Sequence, residues 1–252
     1  MANLDLISRL NENYGKESPI RRQTKLFAIN EYFDPSSIKK AISNSVAEMG
    51  PIFTQYFDLG LPADVVLMFV DVCGFSIKFS KLSGEEIGNY FDSYYDTVIP
   101  IIYRYGGEID KIMGDGIICI FGPPFHNAKL IENIDLVDQC SKEIIKVTKG
   151  TKFESKVAIH CGTINYFKNK TGLYNEFTMI GKPLTELFRL ESISIDNRIN
   201  YYDDTLIRQF YENRIANRGI VNGRAEWTHY IKRINNLKGV HYEQFYSINH
   251  NN

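Results

Sequence analysis

Two aspartates stand where carboxylates are unusual. Asp71 ends the continuous apolar run Val65 to Val70 and is followed by Val72, Cys73, Gly74 and Phe75. Asp115 lies between Gly114 and Gly116, at a position that reads as the tip of a hairpin. A carboxylate at the end of a core strand is costly unless something compensates it. Strand ends and hairpin tips of one sheet can lie side by side, and two acids brought together repel unless a divalent cation sits between them. Carboxylate oxygens are hard ligands that suit two divalent metal ions, Mg2+ or Mn2+, held jointly with phosphate oxygens. Such a pair of ions lowers the pKa of an attacking hydroxyl and neutralises charge on departing phosphates. Gly74 and its neighbours could offer backbone N–H groups to a triphosphate. Either aspartate alone is accounted for by turn or capping chemistry, since Asp beside Gly is ordinary in hairpins. The pair weighs more, and periodicity leaves the choice open.

The elements that would position these residues can be read from pattern. Val65 to Val70 predicts a strand buried on both faces. Ser83-Gly84-Glu85-Glu86 reads as a capping box opening a helix to about Tyr103, with Pro100 kinking it or marking its last turn. Glu108–Met113 and Ile117–Phe121 predict two short strands around the Gly114-Asp115-Gly116 turn. Leu130, Ile134, Val137, Ile144 and Val147 mark an amphipathic helix. Lys156 to Gly162 and Phe177 to Ile180 predict strands, with a helix from Gly181 through Arg189 and a last strand at Glu243 to Ile248. Residues 1–60 read as a mostly helical accessory segment, with a helix start at Asp34-Pro35-Ser36-Ser37 and a stop at Gly50-Pro51. Residues 61–252 form the main domain. The order predicts an α+β sandwich, an antiparallel or mixed sheet with helices on one face.

Composition narrows the partners. A net charge of −1 over 252 residues, with 29 scattered basic residues, argues against nucleic acid. The four cysteines, Cys73, Cys119, Cys140 and Cys161, form no CxxC pair, and three lie in apolar runs, predicting a reduced, cytoplasmic protein. The start MANLDLISRL has no signal-peptide pattern, and no apolar stretch reaches the length of a membrane span.

Four segments carry a family likeness. Phe69-Val-Asp-Val-Cys-Gly-Phe75 resembles the first metal motif of class III adenylate and guanylate cyclases, usually F-x-D-I-x-G-F. Gly106-Gly-Glu-Ile-Asp-Lys-Ile-Met-Gly-Asp-Gly116 resembles their second motif, G-G-x-x-x-K-x-x-G-D. Phe177 to Glu191 resembles the third, x-x-x-G-x-x-V-N-x-A-x-R-L-E, and Leu237-Lys238-Gly239 echoes a late L-K-G. The segments occur in family order, and the likeness as a whole runs from about 63 to 248.

The resemblance implies a palm-type, ferredoxin-like cyclase domain with a helical N-terminal extension. It implies a reaction that closes a nucleoside triphosphate into a 3′,5′-cyclic monophosphate and expels pyrophosphate. It makes Asp71 and Asp115 shared ligands of two metal ions, with a backbone carbonyl from Val72. Arg189 becomes the transition-state arginine, Lys111 the base-selecting lysine and Thr178 its partner, while Gly74, Phe75 and Lys238 fall around the nucleotide; Arg104, in a Tyr103-Arg104-Tyr105 stretch unusual for the family, is a further candidate to reach the base or a phosphate. It further implies a homodimer with composite active sites. Thr185 departs from the pattern, since the family has asparagine there, and Thr178 does not fix the base. Arg104 also suits a solvated helix C-terminus.

The replaced asparagine and the lack of a sensor domain in these residues resemble the stand-alone pyrimidine cyclases of bacterial Pycsar antiphage defence, which make cyclic UMP or cyclic CMP. UTP or CTP is then the expected substrate, and an effector is reached only through the product. An adenylate cyclase using ATP is the alternative, with Lys111 as its best argument. A non-catalytic nucleotide-binding module would have lost an acidic ligand, and a diguanylate cyclase would carry a G-G-D/E-E-F turn.

Overall fold

The computed structural model describes residues 13–14, 55–57, 59–75, 79–80, 82–168, 177–218, 227–235 and 237–250. The helix start expected at Asp34–Ser37 and the stop at Gly50–Pro51 lie outside the described residues.

Strand β1 (Pro62–Val72), helix α1 (Gly84–Arg104), strands β2 (Glu108–Met113) and β3 (Gly116–Phe121), helix α2 (Leu130–Thr148) and strand β4 (Ser155–Lys168) follow one another in the order βαββαβ. Their spatial order is β2-β3-β1-β4, the arrangement of a ferredoxin-like unit. The chain continues through β5 (Phe177–Ile180), α3 (Lys182–Ile193), β6 (Ile199–Tyr202), α4 (Leu206–Arg218), β7 (Trp227–Arg233) and β8 (Gln244–His250). Strand β6 joins β4 in parallel, β8 and β7 extend the sheet beyond it, and β5 pairs with the far end of β4.

The run Val65 to Val70 is buried on both faces, as its unbroken apolarity predicts. Val66, Met68, Val70 and Val72 point into one core with residues of α1, α2 and α4, including Tyr94, Ile102, Val137, Ile144 and Tyr211. Val65, Leu67 and Phe69 point into a second core with Leu187 and Leu190 of α3. The expectation of helices on one face is therefore corrected. A strand apolar on both sides needs cover on both, and α3 supplies the second layer, each buried leucine contributing about 2 kcal/mol.

Local signals hold where they were sharp. Ser83 caps α1: its Oγ accepts from the Glu86 N–H at 3.3 Å, while Glu86 Oε2 accepts from the Ser83 N–H at 2.8 Å. Pro100 falls in the closing turn, and α1 ends at Arg104. Gly114 takes φ 59°, a left-handed conformation that suits glycine at the turn of the β2–β3 hairpin. Cys73, Cys119 and Cys140 are buried, Cys161 is half-buried, and all four are free thiols. None of the described helices is long and apolar enough to cross a membrane.

Candidate active site

The β1–β3 register sets Asp71 opposite Gly116, one residue past Asp115, and the β1–β4 register sets Asp71 opposite Lys156. Side chains alternate along a strand, so Asp71 shares the face of Phe69 that α3 covers. Gly116 is needed for this close approach: a Cβ there would come within 2.4 Å of the Phe69 ring and 3.6 Å of Asp71 Oδ1.

Lys156 Nζ lies 3.3 Å from Asp71 Oδ2 and 2.8 Å from Glu191 Oε1 on α3. Burial pushes the Asp71 carboxyl up, the facing Asp115 charge adds to that, and Lys156 only partly offsets them, leaving a pKa of about 7. Burial alone would depress the Lys156 ammonium, but the Glu191 and Asp71 carboxylates together more than compensate, so its pKa lies above the ordinary lysine value.

The hairpin is braced from α1, where the Tyr95 hydroxyl donates to the Gly114 carbonyl oxygen. Val72 closes β1 with its side chain in the core, and the Cys73 N–H donates to the Glu154 carbonyl at 2.8 Å. Gly74 is exposed with φ 67°, and the Phe75 ring packs 4.5 Å from Phe79 and 5.3 Å from Phe91.

The residues present fit divalent cations. Asp71 and Asp115 offer hard oxygens, and Lys156 already stands against Asp71 as a cation in its place. Among the described residues no group of three or more His, Cys, Asp or Glu side chains is placed to hold a metal alone. Two carboxylates suit an ion such as Mg2+ or Mn2+ that takes further ligands from substrate phosphates and water.

Other predicted residues lie elsewhere in the chain. Thr185 and Arg189 are both exposed, one turn apart on the outer face of α3. No described side chain hydrogen-bonds or ion-pairs with the exposed Arg189 guanidinium, which lies within electrostatic reach of Tyr202. Helix α3 is pinned to β4 by a buried 3.1 Å hydrogen bond shared by His160 Nε2 and Glu186 Oε2. Thr178 pairs with Phe167, eleven positions along β4 from Lys156, or about 35 Å at the rise of a strand. Within one chain it is far from Asp71.

Lys111 follows a register shift in β2 and pairs with Asp110 at 2.8 Å. Lys238 is exposed between β7 and β8, beside a shallow cleft of about 480 Å³ lined by Leu237, Tyr242 and Glu243 among others. Arg104 lies in the last turn of α1, where a cation is favoured. Its Nη1 donates to Glu143 Oε1 of α2 at 2.5 Å while the Tyr105 hydroxyl donates to the other Glu143 oxygen at 2.7 Å, so it clasps two helices together.

Sequence reasoning passed over Lys156 and Glu191. Lys156 served only as a strand boundary, although a lysine opening an apolar strand is itself a signal. Glu191 closed the third motif without a role. Their partnership depends on the register of β4 and the rotation of α3, which tertiary packing decides.

No protein-family model matches the chain. It is 26% identical to rat adenylate cyclase type 10 over 138 residues, covering 49% of this chain and 8% of that protein. It is 19% identical over 209 residues to the photoactivated adenylate cyclase subunit alpha of Euglena gracilis, covering 76% of this chain and 19% of that one. The chain thus spans under a fifth of the length of either relative. Among solved structures, the catalytic core of a rhodopsin-guanylyl cyclase with converted specificity, in complex with ATPαS, superposes with a TM-score of 0.62 at 17% identity, covering 76% of this chain and 98% of that one. The motifs in their order, the βαββαβ unit with Asp71 facing the Asp115 hairpin and these likenesses agree: the chain has the fold of a class III nucleotide cyclase catalytic domain.

Proposed function

We propose that the chain is a nucleotide cyclase converting a nucleoside triphosphate into a 3′,5′-cyclic monophosphate and pyrophosphate. The observation that carries this reading is the placement of Asp71 against the Asp115 hairpin at one end of the central strand, beside Lys156. Bound there, two Mg2+ or Mn2+ ions would supply Lewis-acid activation of the ribose 3′-hydroxyl and charge neutralisation on the phosphates. Asp71, Asp115 and the Val72 carbonyl would hold them. The chain's own part is positional. The rigid strand end and the braced hairpin hold two carboxylates in place, and the backbone N–H groups of Gly74 and Phe75 would be offered to the phosphate chain. Arg189 presents a planar, permanently charged fork to phosphate oxygens.

Arg189 is exposed on α3 and makes no hydrogen bond or ion pair with a described side chain. This supports a head-to-tail homodimer in which Arg189 of each chain, with Thr185, Thr178 and Lys238, completes the site begun by Asp71 and Asp115 of the other. The exposed Phe167 and Ile180 beside Thr178 are apolar surface that such a partner would cover.

Within this reading we favour UTP and CTP as substrates. Thr185 replaces the family asparagine, and the lysine on which an adenine reading leans, Lys111, is already held by Asp110. A role in antiphage signalling, with an effector answering to the cyclic product, belongs to the same proposal. ATP is the second reading, favoured by the names of the relatives and by the presence of Lys111 itself. Purified protein with Mn2+ and each of the four nucleoside triphosphates, products separated by chromatography, tests all of this. Cyclic UMP or cyclic CMP is expected as the main product, cyclic AMP would select the second reading, and no cyclic product from any of the four would overturn both.

A further inference from the structure

We propose that Lys156 is a built-in counter-cation that holds Asp71 against free divalent metal. The inference rests on the reading of Asp71 as a metal ligand and adds a control that this reading does not contain. Lys156 Nζ lies 2.8 Å from Glu191 Oε1 and 3.3 Å from Asp71 Oδ2, so helix α3 holds the ammonium closely and leans it against the carboxylate at the end of β1. The three side chains are 18%, 18% and 13% exposed, which limits screening by salt. An ion arriving alone must displace the ammonium from the same carboxylate oxygen while the two cations repel one another. Lysine carries its charge on a flexible four-carbon stem, so the ammonium can withdraw from Asp71 without leaving Glu191. Metal that arrives with a triphosphate brings its own excess of negative charge, which removes the penalty for crowding a second cation beside Lys156. Glu191 sets the balance: the more firmly it holds Lys156, the less of that charge falls on Asp71.

The test is equilibrium binding of Mn2+ alone to the full chain, read from the electron paramagnetic resonance signal of free Mn2+, with no nucleotide present. Removing one partly screened neighbouring charge predicts that Lys156→Met binds Mn2+ about tenfold more tightly than wild type. Lys156→Arg keeps the charge and is expected to stay within about twofold of wild type. Glu191→Gln acts in the opposite direction, because Lys156 then leans on Asp71 alone and Mn2+ binds more weakly. Thermal melts establish that each variant is folded. Mn2+ affinity unchanged or reduced in Lys156→Met would overturn the proposal, as would tighter binding in Glu191→Gln. Asp71→Ala separates the two layers. Loss of Mn2+ binding in that variant, with no gain in Lys156→Met, sinks the counter-cation alone. Mn2+ binding that ignores Asp71→Ala sinks the metal-ligand reading and this proposal with it.

Discussion

Asp71 pairs in register with Gly116, the residue immediately after Asp115, so a strand end and a hairpin turn bring two carboxylates to one corner of the sheet. Neither residue is in a place that folding requires to be acidic. Asp71→Ala or Asp115→Ala is therefore expected to leave the fold intact and to lower turnover roughly a thousandfold or more, the scale of several kcal/mol of lost transition-state stabilisation. Circular dichroism and a cyclisation assay on the same sample check both halves. Near-wild-type turnover in either variant would end the two-metal reading.

The raised Asp71 pKa, about 7, also makes a stability prediction. An ordinary aspartate loses its proton near 4, so between about pH 4 and 7 the metal-free native state holds more protons than the unfolded one. Stability then falls as pH rises through that window. Asp71→Asn removes the charge and should stabilise the metal-free protein by about 1–2 kcal/mol at pH 8, after allowance for solvent screening, and by little at pH 4. Denaturant melts in chelator at the two pH values test the sign. A variant less stable than wild type at pH 8 would contradict the account.

Gly116 makes a steric prediction. A methyl group there would meet the Phe69 ring at 2.4 Å, and that ring already packs edge-on against Phe188 of α3 at 5.7 Å. Gly116→Ala should cost about 1–3 kcal/mol through overpacking, read as a lower midpoint in urea. It should also disturb Asp71 on the same face, so that activity falls more than stability explains.

Legibility followed the range of the interactions involved. The Ser83 to Glu86 capping box and the Gly114 turn depend on residues three or four apart, and both were readable in the chain. The double burial of β1 was written in six consecutive apolar residues, yet the helix covering its second face was not, because α3 reaches that face only by folding back along β4. Arg104 shows the opposite limit. Its position in the sequence suits either a ligand contact or a cation at a helix C-terminus; it lies in the last turn of α1, and only the packing of α1 on α2 reveals Glu143 as its partner. The stretch from about residue 196 to the last strand is harder to read because β6 and α4 bury tyrosines such as Tyr201, Tyr202 and Tyr211 rather than a plain aliphatic stripe.

Base choice should separate by size. If the pocket is built for one ring, UTP or CTP is cyclised faster than ATP and GTP, since steric exclusion of a second ring discriminates more strongly than one lost hydrogen bond. Lys111→Ala is then expected to change the ranking little, as Asp110 already holds that lysine. Competition between equal concentrations of the four triphosphates gives the ratio of kcat/KM values directly. A preference for ATP that collapses in Lys111→Ala would establish the adenine reading instead.

The outward face of α3 leads to the last prediction. Arg189 lies one turn from Thr185, exposed and without a partner among the described side chains, while Glu191 on the flank of the same helix reaches Lys156 beside Asp71. One helix thus serves its own chain's acidic corner with one side chain and offers an arginine outward with another. A symmetric pair of chains would then build two equivalent sites across a two-fold axis, each taking its acids from one chain and its arginine from the other. Asp71→Ala and Arg189→Ala should each be inactive alone. Mixed in equal amounts and allowed to exchange, half of the dimers become heterodimers in which one site carries both lesions and the other carries neither. Activity should return to about a quarter of wild type if exchange is random and the sites act independently. A tagged pull-down establishes that exchange has occurred. A mixture that exchanges and stays inactive would show that Arg189 does not act on the partner's metal site.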